Sequence, residues 1–334
     1  MTRSFPFALA CAVLVIAAAC SPSGSGGTTT PSASASAAGS PVAGSCPVSP
    51  PLEGVPQGWD VGAQRPSVFP QIINPAGTVT CGPTRLMFSF LDDQNVPVAK
   101  PDRSASVKLF DLGADPAKPV AEATATFIWA IEPRVGVYVA DVTPPTSGDY
   151  GVEFTTTPPG GTAEVIRTTM QVQPSSEVIS VGDKAPASST PTLDQVGGDV
   201  SKISTDAKPV NAFYETSIAQ AVAAKEPFVV AFATPKFCVT QQCGPTLDRL
   251  KPIAERHPNV TVINVEPYLL KDVDGQLQPV LDANGDLTAT QATNEWHLPT
   301  EPWVFVVDRN GVVTRSFMLI FSDEELDAAM AEVE

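Results

Sequence analysis

The sequence predicts two folded modules in series, an all-β module followed by an α/β one. Length is the first reason: a single hydrophobic core stops growing at roughly 250–300 residues, and the chain has 334. The second is a change of pattern. Short runs alternating apolar with polar residues fill the first half, whereas continuous apolar runs alternating with helical periodicity fill the last third. Alternation marks half-buried antiparallel strands, and a continuous run marks a strand covered on both faces. The third is the count of 34 Pro and 23 Gly, which suits turns and linkers better than a helical bundle.

Charge narrows the function. Asp and Glu number 36 against 20 Lys and Arg, a formal net charge of −16. Phosphate contacts need a basic surface, so no nucleic-acid partner is expected. Attraction to anionic lipid is disfavoured for the same reason. Two histidines argue against a multi-His metal centre, and neither a cofactor nor a metal is expected.

The chain begins MTRSFPFALACAVLVIAAAC. Arg3 precedes an apolar run that is shorter than the roughly 20 residues needed to span a bilayer, as in the core of a signal peptide. The junction Ala17-Ala18-Ala19-Cys20 resembles a bacterial lipoprotein signal, with Ala17 where such signals usually carry Leu. The resemblance implies a signal peptide over residues 1–19, a lipid on Cys20, and an extracytoplasmic protein anchored to the cell membrane. Plain cleavage after Ala-x-Ala is the alternative. Residues 20–45 form the expected tether: Ser21 to Ser45 are all Ser, Pro, Gly, Thr or Ala except Val42, with almost nothing to bury.

Export leaves Cys46, Cys81, Cys238 and Cys243. Outside the cytoplasm, four thiols imply up to two disulfides. The pattern change between the two pairs favours local pairing, Cys46 with Cys81 and Cys238 with Cys243.

The first module is expected over residues 46–173. Strand-like runs are 85–91 (RLMFSFL), 106–110 (SVKLF), 123–128 (ATATFI), 136–142 (GVYVADV), 149–155 (DYGVEFT) and 165–172 (VIRTTMQV). Their short spacing predicts an antiparallel sandwich, and the stretch from Pro144 to Tyr150 looks like a loop and following strand of an immunoglobulin-like domain. Cys46–Cys81 reads as a structural staple, and Trp59 and Trp129 as packing residues. With no histidine and scattered acids, the module offers no catalytic chemistry.

A polar connection over 174–210 leads to the second module, 211–334. A helix is expected over 217–225, a buried strand over 228–233, a helix opening near Pro245 and running to about Arg256, and a second buried strand over 260–265. Pro302 then precedes a strand at 303–308, a turn at Arg309-Asn310-Gly311, and a return strand over 312–320. Ser322 and Glu325 make a capping box for a last helix. The Asp-rich stretches near 272 and 282 look like calcium loops but lack the closing glutamate. They are read as turns of a hairpin inserted over 269–291.

Phe232-Ala-Thr-Pro-Lys-Phe-Cys238 and Cys243-Gly244-Pro245 resemble the redox corner of thioredoxin-like and peroxiredoxin-like proteins, and Pro302 matches the position of their cis-proline. The resemblance covers residues 180–334, beginning at Val181-Gly182-Asp183-Lys184-Ala185-Pro186. It implies a thioredoxin-like α/β fold and a thiol–disulfide oxidoreductase with Cys238, Cys243 and Pro302 at its site. Implied partners are exported client proteins or a membrane redox partner. The spacing departs from the family, Cys-x4-Cys in place of Cys-x2-Cys, and Ala231 stands where the family buries an acid.

Which sulfur attacks is open. The strand-side match gives the role to Cys238; the helix N-terminus, whose free N–H groups stabilise a thiolate, favours Cys243. Glu301 beside the pair would raise a thiol's pKa. A binding or assembly lipoprotein with a static Cys238–Cys243 brace is the alternative function. A peroxidase built on Thr240-x-x-Cys243 and a Cu(I) carrier using both thiolates with His297 rank lower.

Overall fold

The structure, a computed structural model, describes residues 46–334. The expected signal peptide, Cys20 and the tether lie outside the described residues.

The first module holds eight strands: β1 (Phe69–Ile72), β2 (Thr84–Leu91), β3 (Ser104–Asp111), β4 (Pro119–Thr124), β5 (Thr126–Ile131), β6 (Val135–Val142), β7 (Gly148–Thr157) and β8 (Glu164–Val172). They form two four-stranded sheets, β1-β2-β6-β5 and β4-β3-β7-β8, with every pairing antiparallel. Alternate residues of β2 and β6 (Leu86, Phe88, Phe90, Tyr138) meet Val107, Leu109, Val152 and Phe154 of the other sheet in one core. Two sheets closing on one core are consistent with an immunoglobulin-like sandwich. Tyr150 donates from its hydroxyl to the Thr146 carbonyl at 3.0 Å, fastening the loop before β7.

The run read as one strand over 123–128 is two. β4 ends at Thr124 in one sheet, and β5 begins at Thr126 in the other. Ala125 between them donates to the Ala105 carbonyl at 2.9 Å, so the chain changes sheets without a break in alternation.

The opposite face of β2, β5 and β6 is covered as well. Met87, Ile128, Val137 and Val139 join Phe228, Phe232, Phe305 and Met318 of the second module in a shared cluster. Cover on both faces explains why β2 is buried at nearly every position. Arg85 and Glu325 pair across the same junction at 2.8 Å. The described residues belong to one compact unit.

The second module contains α1 (Ile218–Ala224), β9 (Phe228–Phe232), α2 (Cys243–Arg256), β10 (Thr261–Val265), the hairpin β11 (Leu270–Val273) and β12 (Gln276–Pro279), α3 (Gln291–Glu295), β13 (Trp303–Val307), β14 (Val313–Met318) and α4 (Asp323–Val333). Its main sheet runs β10-β9-β13-β14, with β9 and β10 parallel and the other pairs antiparallel. Every residue of β9 and β13 is buried, as their continuous apolar runs require. Capping boxes open α1 at Ser217 and Gln220 and α4 at Ser322 and Glu325.

The expected thioredoxin-like fold is corrected here. The molecule is mostly β, 34% strand against 18% helix in four sheets, so its second half is not clearly of that α/β type. Where the resemblance begins, the chain makes only an isolated bridge between Lys184 and Val312. It continues through three 3-10 turns, at Leu193–Val196, Val200–Lys202 and Asn211–Tyr214. Two of the four helices span only seven and five residues. Short motifs at one strand-to-helix corner describe that corner and do not determine the layers around it. Among the described residues, no helix is long and apolar enough to cross a membrane.

Candidate functional site at a strand-to-helix corner

β9 is pinned between β10 and β13 and delivers the chain to a turn at Thr234, whose carbonyl accepts from Phe237 N at 3.3 Å. Cys238 follows on this loop, and Cys243 is the first residue of α2. The two are disulfide-bonded with their Cα atoms 6.0 Å apart. Positions i and i+5 on a continuous helix would lie roughly 8–9 Å apart, beyond disulfide reach. Gln241, with φ 63°, turns the intervening loop back and brings the sulfurs together.

The pair is asymmetric. Cys243 is fully buried, whereas Cys238 is only half-buried. The backbone N–H of Cys243 donates to Cys238 Sγ at 3.2 Å, and the Thr240 hydroxyl lies 3.4 Å from the same sulfur. The helix terminus therefore serves Cys238, contrary to the sequence argument that it would favour Cys243. A residue that opens a helix presents its own N–H outward, toward whatever precedes it.

Glu301 closes the corner from the other side. Its side chain is buried, accepting from Val239 N at 2.6 Å through Oε1 and from the Tyr268 hydroxyl through Oε2. Its backbone carbonyl accepts from the Thr240 hydroxyl at 2.7 Å. Burial pushes the Tyr268 hydroxyl well above the usual tyrosine range, and the adjacent Glu301 carboxylate pushes it further. Pro302 follows through a cis peptide bond and is buried. Its carbonyl accepts from Leu319 N at 2.9 Å, which fixes the segment against the end of β14.

The two sulfurs and a Glu301 carboxylate oxygen lie within 4.8 Å of one another. They form a donor set for a soft or borderline metal only when the thiols are reduced. His297 is exposed and outside that group, so the Cu(I) set with His297 is not assembled. His257 caps α2, between Glu334 at 3.1 Å and Asp327 at 3.2 Å.

Cys46 and Cys81 are also disulfide-bonded, with Cα atoms 6.1 Å apart. The hairpin expected over 269–291 is present as β11 and β12, turning at Asp274 and Gly275. Tyr268 and Glu266 escaped the sequence reading. Glu266 directly follows the apolar run of β10, and an acid in that position is the signal that could have marked it. It is buried, Thr205 donates to its Oε1 from N at 2.6 Å and from Oγ1 at 2.7 Å, and burial raises its pKa to about 6.

No protein-family model matches the chain, and no curated protein does. Among solved structures, 11 chains match. One is the crystal structure of the Lin-41 filamin domain, with 18% identity over 32% of this chain and 93% of that one. Its TM-score of 0.20 carries no argument about fold or function.

Proposed function

We propose that the protein is an extracytoplasmic lipoprotein, anchored through Cys20, that exchanges disulfides with exported proteins through Cys238 and Cys243. One observation carries the reading: the half-buried sulfur of a bonded pair accepts the first N–H of a helix, while its partner is sealed behind it. Exposure and a thiolate-stabilising donor on the same atom are what an attacking sulfur needs.

In the reduced protein, Cys238 thiolate attacks a client disulfide, forming one S–S bond and expelling the second client sulfur as a thiolate. Cys243 thiolate then attacks Cys238 Sγ, restoring the internal bond and releasing the client's first sulfur. The client gains two electrons and the protein loses two, to be returned by a dithiol of a membrane partner. Run backwards, the same steps oxidise a client dithiol.

Cys243→Ser, which lacks the resolving sulfur, should accumulate mixed disulfides with exported proteins on non-reducing gels, and Cys238→Ser should give none. If Cys238→Ser is the trapping variant, the roles are reversed. If neither captures a client, the exchange reading falls. A second reading, a binding lipoprotein with a static bond, is favoured by one feature, the Glu301 carboxylate beside the sulfurs. A buried negative charge opposes thiolate formation.

A further inference from the structure

Three chain segments bring ligand atoms together at the disulfide corner. Cys238 comes from the loop after β9, Cys243 from the first residue of α2 and Glu301 from the segment ahead of β13. Their two sulfurs and one carboxylate oxygen lie within 4.8 Å of one another. Glu301 is buried, and none of the ion pairs among the described residues includes it. Buried charges are ordinarily paired or coordinate a metal. Val239 N and the Tyr268 hydroxyl each donate to one oxygen of the carboxylate, and each oxygen keeps a second lone pair for a ligand bond.

Reduction adds charge at the same point. Two electrons from a partner dithiol break the S–S bond and leave two thiolates beside the carboxylate, three negative groups that repel one another. A dication offsets two of the three. We propose that the reduced corner is a zinc site, with Cys238 Sγ, Cys243 Sγ and one Glu301 oxygen as ligands and a water as the fourth. The mixed donor set selects the metal. Magnesium and calcium avoid thiolate, Cu(I) takes both sulfurs but has no use for a carboxylate, and Zn²⁺ accepts sulfur and oxygen together. The sulfurs part to about 3.8 Å, the edge of a tetrahedron with zinc–sulfur bonds of about 2.3 Å. Cys238 is only half-buried, so ion and water reach the site from its side. Cys243 N–H at 3.2 Å and the Thr240 hydroxyl at 3.4 Å hold the Cys238 sulfur in place, as outer groups hold a metal ligand. An oxidised pair has no thiolate to give, so zinc and the disulfide exclude each other, and bound zinc withholds the attacking sulfur from a client. The inference rests on the exchange reading in one respect, that the pair can be reduced, and needs no client.

The test is zinc uptake by the full chain after reduction with a phosphine, read by competition with a chromophoric chelator, with cobalt(II) as the spectroscopic probe. Reduced protein should hold one zinc more than Cys238→Ser/Cys243→Ser, a variant that keeps any zinc taken by reduced Cys46 and Cys81. Protein with both disulfides intact should hold none. Cobalt(II) should give the visible bands of a tetrahedral ion and a thiolate charge-transfer band, both lost in the double variant. Glu301→Gln should weaken zinc at least tenfold while the charge-transfer band remains, and the cobalt spectrum of the parent decides the sulfur ligands without that variant. Saturating zinc should slow closure of the Cys238–Cys243 bond by a small aromatic disulfide at least tenfold, followed by mass mapping of that pair. The proposal is overturned by equal zinc uptake in the oxidised protein, by unchanged affinity in folded Glu301→Gln, or by no additional zinc held up to about 100 µM, weaker than a site with two thiolates would bind. Zinc held with no client captured by Cys243→Ser leaves the site standing and removes the exchange reading; capture without zinc does the reverse.

Discussion

Cys46–Cys81 and Cys238–Cys243 have almost the same Cα separation, 6.1 and 6.0 Å, yet they sit in opposite settings. The first links residues 35 apart in sequence and ties the segment ahead of the sandwich to its base. There Cys81 N donates to the Gln173 carbonyl at 3.1 Å. The second links residues five apart, at the mouth of a helix and against a buried glutamate. Closing a long loop removes much unfolded-state entropy and closing a short one removes less. One bond closes a long loop and is placed to hold the chain; the other closes a short one and pairs a half-buried sulfur with a fully buried one, whereas Cys46 and Cys81 are both half-buried.

The comparison breaks most visibly on stability. Replacing Cys46 and Cys81 together with Ala should cost about 3–4 kcal/mol by loop-closure entropy, seen as a lower urea midpoint. Replacing Cys238 and Cys243 together should cost only about 2 kcal/mol by the same relation. If the second pair proves the more costly, it is the structural bond.

A third outcome concerns pH, where Glu266 separates the corner's surroundings from the sandwich. Its pKa is raised from 4.5 to about 6 on folding, so between these values the folded state holds the extra proton. Its contribution to stability is fully present below pH 4.5 and is lost as pH rises through about 6, on the order of 1–2 kcal/mol. Glu266→Gln should therefore be the more stable protein at pH 7 and equal to the parent near pH 4, read from urea melts at both values. A smaller effect, about 1 kcal/mol, is expected for Arg85→Ala, which loses the pair with Glu325 and the stacking over Phe317 at 5.7 Å. That loss should appear equally with either disulfide removed, since Arg85 lies at the junction and touches neither.

How far the sequence could be read depended on the kind of signal. β9 and β13 were legible because a strand covered on both faces must be apolar throughout, and α1 and α4 because Ser at the cap with Gln or Glu three residues on is a local device. β1 was not anticipated: at an outer position in its sheet, its four residues are only half covered and alternate too briefly to stand out. The β4–β5 switch was hidden because Ala125 continues the alternation across it. The cysteine pairing was legible from the positions of the two pairs on either side of the change in pattern. The direction of the α2 terminus was not, because it depends on a left-handed Gln241 and on Cys243 itself opening the helix. The thioredoxin-like expectation over-extended a local likeness, since Phe232–Pro245 and Pro302 carry a corner while residues 180–217 carry no strand. Glu266 and Tyr268 meet the site through folding alone.

The reduction potentials of the two disulfides, measured in one glutathione titration with mass mapping of each pair, test the central claim most directly. The account predicts about −120 to −270 mV for Cys238–Cys243, among exchanging pairs, and below about −300 mV for Cys46–Cys81, among structural bonds. A Cys238–Cys243 potential that also falls below about −300 mV would make both bonds braces and contradict the exchange reading.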